Sequence, residues 1–186
     1  NVQAELHLTS TSVTYLHESG SGVNRIVNFT GLTIPINSWH HIAMVRDGAA
    51  RSVSLYLDGV LLGTGNYTVD PEGGSSSFLT LGRSLAAYGT TYMFDGQLDE
   101  FRMWNVVKSQ TEIQQHMTTT LTGSEPGLVS YYDFESTTGG VLLDKSTNAN
   151  QGTLVNMDPN NDWVTGYGTS GSACSVQSAS NVSVGI

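Results

Sequence analysis

Cysteine is nearly absent from this chain of 186 residues, and positively charged residues are scarce. The single cysteine, Cys174, cannot form a disulfide within the chain. Secreted eukaryotic proteins of this size often carry disulfides, so their absence favours a bacterial surface or secreted protein. The sequence shows no signal-peptide pattern and no apolar run long enough to span a bilayer, so we expect no membrane insertion.

The charge balance excludes one group of partners. Lys and Arg number 7 against 16 Asp and Glu, which gives a net charge of −9. With no basic cluster to reverse this locally, the surface repels nucleic acid and anionic membranes. Two interpretations of the acidity stay open: it provides solubility, or some of the carboxylates hold a cation.

The composition favours an all-β chain with many turns. Charged residues make up only 12%, and the chain has 21 glycines and many Ser, Thr and Asn residues. The clearest hairpin is at Asp58-Gly59, which suits a type I′ turn because both central residues tolerate positive φ. One helix is predicted near 109–119, where Ser109 and Glu112 have capping-box spacing.

A change of composition predicts the domain organisation. Strand-like segments separated by turns continue to about residue 165, which predicts one domain over 1–165. The remaining segment, 166–186, is rich in Gly and Ser without periodicity, so we expect a linker or tail leading to another domain of the same parent chain.

Several motifs follow one another in a recognisable order. They are W-H-H-I-A at 39–43, L-Y-L-D-G at 55–59, L-G-R at 81–83, F-D-G-Q-L-D-E-F-R-M-W-N at 94–105, and D-K-S-T-N-A-N-Q-G-T-L at 144–154. This order resembles the laminin-G/pentraxin-like group of concanavalin A-like domains, and in particular the bacterial laminin-G-type modules of long secreted proteins. The resemblance extends over about residues 6–163.

The resemblance implies an antiparallel β-sandwich jelly roll that is usually non-catalytic and often binds calcium and sugars or protein partners. It also implies an extracellular or cell-surface location within a larger protein. Such domains usually open with further strands before the segment that corresponds to Leu6. We therefore expect either an incomplete sandwich or a contribution from an upstream segment or another chain.

Catalytic constellations are not evident, so we expect no enzyme. The glucanases of related folds need two carboxylates facing one cleft. Asp99 and Glu100 are adjacent in a predicted strand, so they point to opposite faces and cannot form that pair. The sequence has no G-x-S-x-G elbow, and Cys174 falls in the predicted tail. His40 and His41 are interpreted as core or interface residues rather than zinc ligands.

Calcium is the metal that the sequence favours, because loops rich in Asp and Asn supply its oxygen ligands. One candidate segment is the loop 144–150, with Asp144, Asn148 and Asn150. The other contains Asp95 and Asp99, and the resemblance makes Asp99 the first choice, with carbonyl oxygens from the 144–150 loop. The alternative is that Asp99 accepts hydrogen bonds from backbone amides and Asp144 merely caps a turn.

Exposed aromatic residues in loops suit the apolar faces of sugars. Tyr88 and Tyr92, with Arg83 at the start of the same segment, are the candidate ligand-binding residues. The alternative is that the tyrosines cover the edge of the sandwich. The three tryptophans are predicted to be core residues; they are Trp39, Trp104 and Trp163.

We therefore expect a non-catalytic carbohydrate-binding or adhesive module of a larger secreted or cell-surface protein, with a calcium site. Its partner would be a polysaccharide, another glycan or a cell-surface protein. The alternative is a structural or protein-interaction spacer without a small ligand, and a glucanase-type hydrolase is the least favoured. A groove lined by aromatic residues would distinguish sugar binding from a spacer.

Overall fold

The computed structural model describes residues 4–19, 23–71, 79–82, 94–135, 139–167, 172–176 and 183–185. The chain divides into two compact units. Unit 1 comprises Asn1–Ser77 and Val107–Thr120, and unit 2 comprises Phe78–Val106 and Leu121–Ile186. All strand pairings in the described residues are antiparallel, which together with one short helix confirms the predicted all-β class.

The described part of unit 1 contains two three-stranded sheets and the helix. The first sheet has the order β1-β2-β3 and the second the order β4-β5-β6. Their bounds are β1 Ala4–Leu8, β2 Ser12–Ser19, β3 Val23–Thr30, β4 Ile42–Asp47, β5 Ser52–Leu57 and β6 Val60–Asn66. Alternation along β2 and β5 directs Val13, Tyr15, Val53 and Leu55 into one buried cluster.

The Asp58-Gly59 turn joins β5 to β6 as the sequence predicts. Both residues have positive φ, 49° for Asp58 and 74° for Gly59, which is the type I′ requirement. Helix α1, Gln110–His116, packs its polar face against this turn, since the side-chain amides of Gln110 and Gln114 each donate to the Gly59 carbonyl at 3.0 Å. The turn is thereby held at a fixed position in unit 1.

The predicted start of the helix is confirmed. The Ser109 hydroxyl accepts from the Glu112 amide at 3.3 Å, and the Glu112 carboxylate accepts from the Ser109 amide at 2.8 Å. The helix ends at His116 rather than near 119, with Met117 as its C-cap. No helix in the described ranges is both long and apolar enough to cross a bilayer.

In unit 2 the described residues form shorter strands in three sheets, with orders β10-β9, β11-β12-β15-β7 and β13-β14-β8. The bounds are β7 Thr80–Leu81, β8 Gly96–Leu98, β9 Phe101–Trp104, β10 Leu128–Tyr132, β11 Val141–Leu142, β12 Gly152–Val155, β13 Trp163–Thr165, β14 Ser172–Val176 and β15 Ser183–Gly185. One buried cluster contains Tyr132, Phe134 and Leu142, and another contains Leu121, Leu128 and Tyr131.

Two features differ from the sequence predictions. The strand expected over 97–104 is interrupted, because β8 ends at Leu98 and β9 begins at Phe101, with Glu100 at a φ of 53° between them. Adjacent residues point to opposite faces only within a strand, and Asp99 and Glu100 lie between two strands. The prediction that their side chains must face opposite ways therefore does not hold. Strands β14 and β15 lie within 166–186, where composition predicts a linker, and each pairs with strands of unit 2. The domain boundary near 165 stays a prediction.

Candidate functional site

Asp144 is the most completely bonded carboxylate of the predicted calcium residues. It is buried, with 6% of its surface exposed. Oδ1 accepts from the backbone amides of Tyr131 at 2.9 Å and Ser146 at 2.8 Å, and Oδ2 accepts from the Asn150 amide at 2.8 Å and lies 2.9 Å from the Ser146 hydroxyl. Two donors on each oxygen occupy the lone-pair directions of a carboxylate, so Asp144 acts as an internal acceptor that ties its loop to β10.

The electrostatics of Asp144 agree with this structural role. Burial by itself would raise the pKa of Asp144, but the backbone amides of Tyr131, Ser146 and Asn150 outweigh burial and hold the pKa below its usual range. The hydrogen bonds from these amides therefore favour the charged form of the carboxylate.

The asparagines of the same loop also bind protein backbone. The Asn148 side-chain amide donates to the Val129 carbonyl at 2.8 Å, and the Asn150 side-chain amide lies 3.3 Å from the same oxygen. Calcium would need carbonyl or carboxylate oxygens converging on one point. Both oxygens of Asp144 accept from protein donors, whereas the bonds of the two asparagines use their amide nitrogens, which are not calcium ligands. The calcium role of this loop stays a prediction.

A glycine turn packs against the base of this loop. Gly123 has a φ of +88°, and a Cβ built on it would lie 1.9 Å from the Lys145 carbonyl oxygen. The Thr147 amide donates to the Gly123 carbonyl at 3.1 Å. Only a residue without a side chain permits this approach, so the turn and the loop form one tightly packed element.

Asp99 lies at the break between β8 and β9 and is only half-buried. Each oxygen accepts one backbone amide: Oδ1 from Glu100 at 2.8 Å and Oδ2 from Tyr167 at 2.7 Å. Burial raises the pKa of Asp99 to about 6; the two amides oppose this rise, and the nearby charges of Glu100 and Glu135 add to it. Among the described residues no further hydrogen-bond donor reaches these oxygens, so Asp99 keeps the capacity to bind a proton or a cation.

Glu100, beside it, is committed to a different set of contacts. Its carboxylate forms an ion pair with Arg102 and accepts from the Tyr131 hydroxyl at 3.0 Å. The Arg102 guanidinium lies 5.5 Å from the centre of the Tyr131 ring, within cation–π range. Burial, followed by the charge of Glu100, raises the pKa of Tyr131. Glu100 therefore holds β9 to β10 and is not free to ligate.

Asp95 completes the acidic residues predicted for this segment. Its side chain is exposed. Within the described ranges, no three or more His, Cys, Asp and Glu residues are grouped so that they could hold a metal ion. Calcium stays a prediction, and the carboxylates with remaining capacity for it are Asp99 and Asp95.

The predicted ligand-binding residues Tyr88, Tyr92 and Arg83 lie outside the described residues, and their roles stay predictions. Trp39, predicted to be a core residue, is 37% exposed. It sits in the loop before β4 rather than within a strand, which explains the difference. Tyr67, in contrast, is 6% exposed and packs in the core of unit 1.

A second polar constellation, in unit 1, was not anticipated from the sequence. The Ser38 hydroxyl lies 2.9 Å from His40 Nε2, and His40 Nδ1 lies 2.8 Å from Asp58 Oδ2. The other oxygen of Asp58 accepts from the His41 amide at 2.9 Å. Burial alone would raise the pKa of Asp58, but hydrogen bonds from His40 and His41 outweigh it and lower the pKa.

Ser38 does not lie in a G-x-S-x-G motif, so that motif gives no sign of the constellation. The serine and the histidine are instead two residues apart in a loop. The informative signal is the antiparallel register of the two hairpin strands. Ile42 pairs with Leu57, so the residues just before β4 lie beside the turn after β5. A histidine at one place and an aspartate at the other are therefore brought together.

Comparisons with known proteins give two matches. A family model described as the concanavalin A-like lectin/glucanases superfamily matches residues 3–114. A crystal structure from Bacteroides ovatus ATCC 8483, described as a "putative carbohydrate binding protein", is similar with 22% identity and a TM-score of 0.57. The similarity covers 82% of this chain and 47% of that one, so the chain spans about half the length of its structural neighbour. No curated protein matches the chain.

Proposed function

The chain belongs to the concanavalin A-like lectin/glucanases superfamily, and from this membership we propose that it is a carbohydrate-binding module. The family match over residues 3–114 is the observation that carries the proposal. The description of the Bacteroides neighbour as a carbohydrate-binding protein supports it. We propose further that the module belongs to a longer secreted or cell-surface protein and acts outside the cell.

The superfamily also contains glucanases, but the contacts in unit 2 favour a module that leaves glycosidic bonds intact. Hydrolysis of these bonds needs two carboxylates that both face the scissile bond. Asp99 has the raised pKa of an acid catalyst, yet its neighbour Glu100 is occupied by Arg102 and Tyr131. These contacts give Glu100 a structural role in joining β9 to β10, and on that ground we infer that the chain binds sugar without cleaving it.

A contribution from calcium is a finer part of the proposal. Asp99 and Asp95 are the carboxylates that would hold the ion, because Asp144 already has a full set of donors. The aromatic contacts to sugar would come from Tyr88 and Tyr92, with Arg83 donating to hydroxyl groups. Tyrosine rings match the C–H faces of sugars, and guanidinium donors match their oxygens.

The test is a glycan array with a pull-down on insoluble polysaccharides, run in calcium and again in EDTA. We expect retention on at least one polysaccharide, with a loss in EDTA if calcium supports the site. The double change Tyr88→Ala with Tyr92→Ala should weaken retention at least tenfold. Tyr167→Ala is the matched control, since it removes another tyrosine that is 55% exposed.

Three outcomes would contradict the proposal or a part of it. No retention in either buffer would reject carbohydrate binding and favour the spacer. Retention that EDTA does not change would reject the calcium contribution and leave carbohydrate binding in place. Equal weakening by Tyr167→Ala would show that the 83–92 segment is not the specific contact.

A further inference from the structure

Ser38, His40 and Asp58 form a continuous hydrogen-bonded series on the surface of unit 1, with distances of 2.9 Å and 2.8 Å. We propose that these three residues act as nucleophile, general base and orienting acid in the cleavage of small carboxylic esters. This activity goes beyond carbohydrate binding and does not depend on it. A nucleophile bonded to a base, which a third group orients, is the diagnostic arrangement for such chemistry.

The hydrogen bonds fix the tautomer that the reaction needs. A charged carboxylate only accepts hydrogen bonds, so the proton lies on His40 Nδ1, which donates to Asp58 Oδ2. In the neutral ring, Nε2 then carries the lone pair and accepts from the Ser38 hydroxyl. The hydroxyl proton therefore points at the base that must remove it.

The orienting acid is held from several directions. Asp58 Oδ1 accepts from the His41 amide at 2.9 Å, and the Asp58 amide donates to the His41 carbonyl at 2.8 Å. The next residue, Gly59, is fixed by the two glutamines of α1. A group held by this many contacts loses little entropy when the reaction begins, which favours catalysis.

The nucleophile is accessible to a substrate. Ser38 is exposed, and it follows Asn37, whose φ of 62° is unusual for a residue other than glycine. Among the described residues, the Ser38 amide donates to no acceptor. The amide of the nucleophile itself is a common donor to the oxyanion of an acyl-transfer intermediate. Ile36 and Trp39, which lie within two residues of Ser38 in the sequence, have exposed apolar side chains.

The reaction balances without a cofactor. Ser38 Oγ attacks the ester carbonyl carbon as its proton passes to His40 Nε2, and the new C–O bond gives a tetrahedral oxyanion. Collapse breaks the bond to the alcohol, which leaves with the proton from Nε2. Water then attacks the acyl-serine and gives its proton to Nε2, and release of the acid returns that proton to Ser38 Oγ.

The first experiment labels the protein with a fluorophosphonate probe and locates the adduct by peptide mass spectrometry, alongside hydrolysis of p-nitrophenyl acetate. We expect labelling at Ser38 and a burst of p-nitrophenol. Ser38→Ala should abolish both, whereas Ser10→Ala, which removes another exposed serine hydroxyl, should change neither. Hydrolysis that survives Ser38→Ala, without labelling, would be catalysis by surface imidazole and would overturn the proposal.

A second variant separates catalysis from support of the loop. Asp58→Asn suits the positive φ of the turn and can still accept from the His41 amide, so the fold should be retained. The side-chain amide would donate to His40 Nδ1 and reverse the tautomer, which should lower the acylation rate on the order of 10²-fold or more. Unchanged acylation with an unchanged melting temperature would also overturn the proposal.

Discussion

Asp144 and Asp99 both lie close to the end of a short strand in unit 2, yet the protein holds their carboxylates in opposite ways. Asp144 is buried and receives two donors on each oxygen. Asp99 is half-buried and receives one amide on each oxygen. The pKa of Asp144 is held below its usual range, while that of Asp99 is raised to about 6.

The contrast shows that burial alone does not decide whether an acidic side chain is ionised. Burial opposes the charge on both, but the larger number of amides around Asp144 more than compensates for it. At Asp99 the compensation is incomplete, and the charges of Glu100 and Glu135 oppose ionisation further. A ligand can bind only to oxygens that can still accept hydrogen bonds or coordinate an ion. The contacts therefore favour a functional role for Asp99 and a structural role for Asp144.

The largest effect is expected from Asp144→Ala. The change removes a buried carboxylate and leaves the amides of Tyr131, Ser146 and Asn150 without their acceptor, so the free energy of unfolding should fall by about 3 kcal/mol. Urea unfolding in calcium and in EDTA would measure it. Asp158→Ala is the control, because Asp158 also accepts from a backbone amide, that of Asn160, but is exposed.

If Asp144→Ala lowered the free energy of unfolding only in the calcium buffer, the contrast between Asp144 and Asp99 would be wrong. Such a result would mean that Asp144 stabilises the protein by holding an ion rather than by accepting the four donors. A loss of the same size in both buffers would instead confirm the structural role.

A smaller effect is expected from Gly123→Ala, which tests the packing that supports the Asp144 loop. The new Cβ would collide with the Lys145 carbonyl and must adopt positive φ, so unfolding should become easier by about 2–3 kcal/mol. Gly139→Ala is a matched control, since Gly139 has a φ of +97° and no atom within 4 Å of an added Cβ. The difference between the two variants in chemical denaturation isolates the collision. Equal losses would show that the turn does not press on the loop.

Features that depend on neighbouring residues could be predicted from the sequence. The Asp58-Gly59 hairpin and the Ser109–Glu112 cap each involve groups at most three residues apart, so their chemistry is visible in the order of residues. The all-β class followed from composition and from motif order. Strand interruptions could not be predicted in this way, because the break at Glu100 is accompanied by its contacts with Tyr131, far along the chain.

The candidate sites depended still more on distant contacts. The sequence offered both roles for Asp144, but only the fold brings the Tyr131 amide to its carboxylate, 13 residues away. Asp58 reaches His40 across 18 residues through the register of β4 and β5. Residue types therefore identified the acidic candidates, while the number of donors around each one, which decides its role, required the structure.

The smallest effect concerns Asp99 and depends on pH. Because the folded pKa of about 6 lies above the ordinary value of 3.8, the folded state binds a proton more tightly, and stability should fall as pH rises from about 4 to 6. Solvent screening reduces this loss to about 1 kcal/mol, since the group is only half-buried. Asp99→Asn removes the titrating group, so this loss of stability should disappear. The free energy of unfolding of the variant, relative to that of the native chain, should therefore rise by about 1 kcal/mol between pH 4 and pH 7. Chemical denaturation at both pH values measures it, and a constant difference would place the Asp99 pKa at its ordinary value and remove the contrast with Asp144.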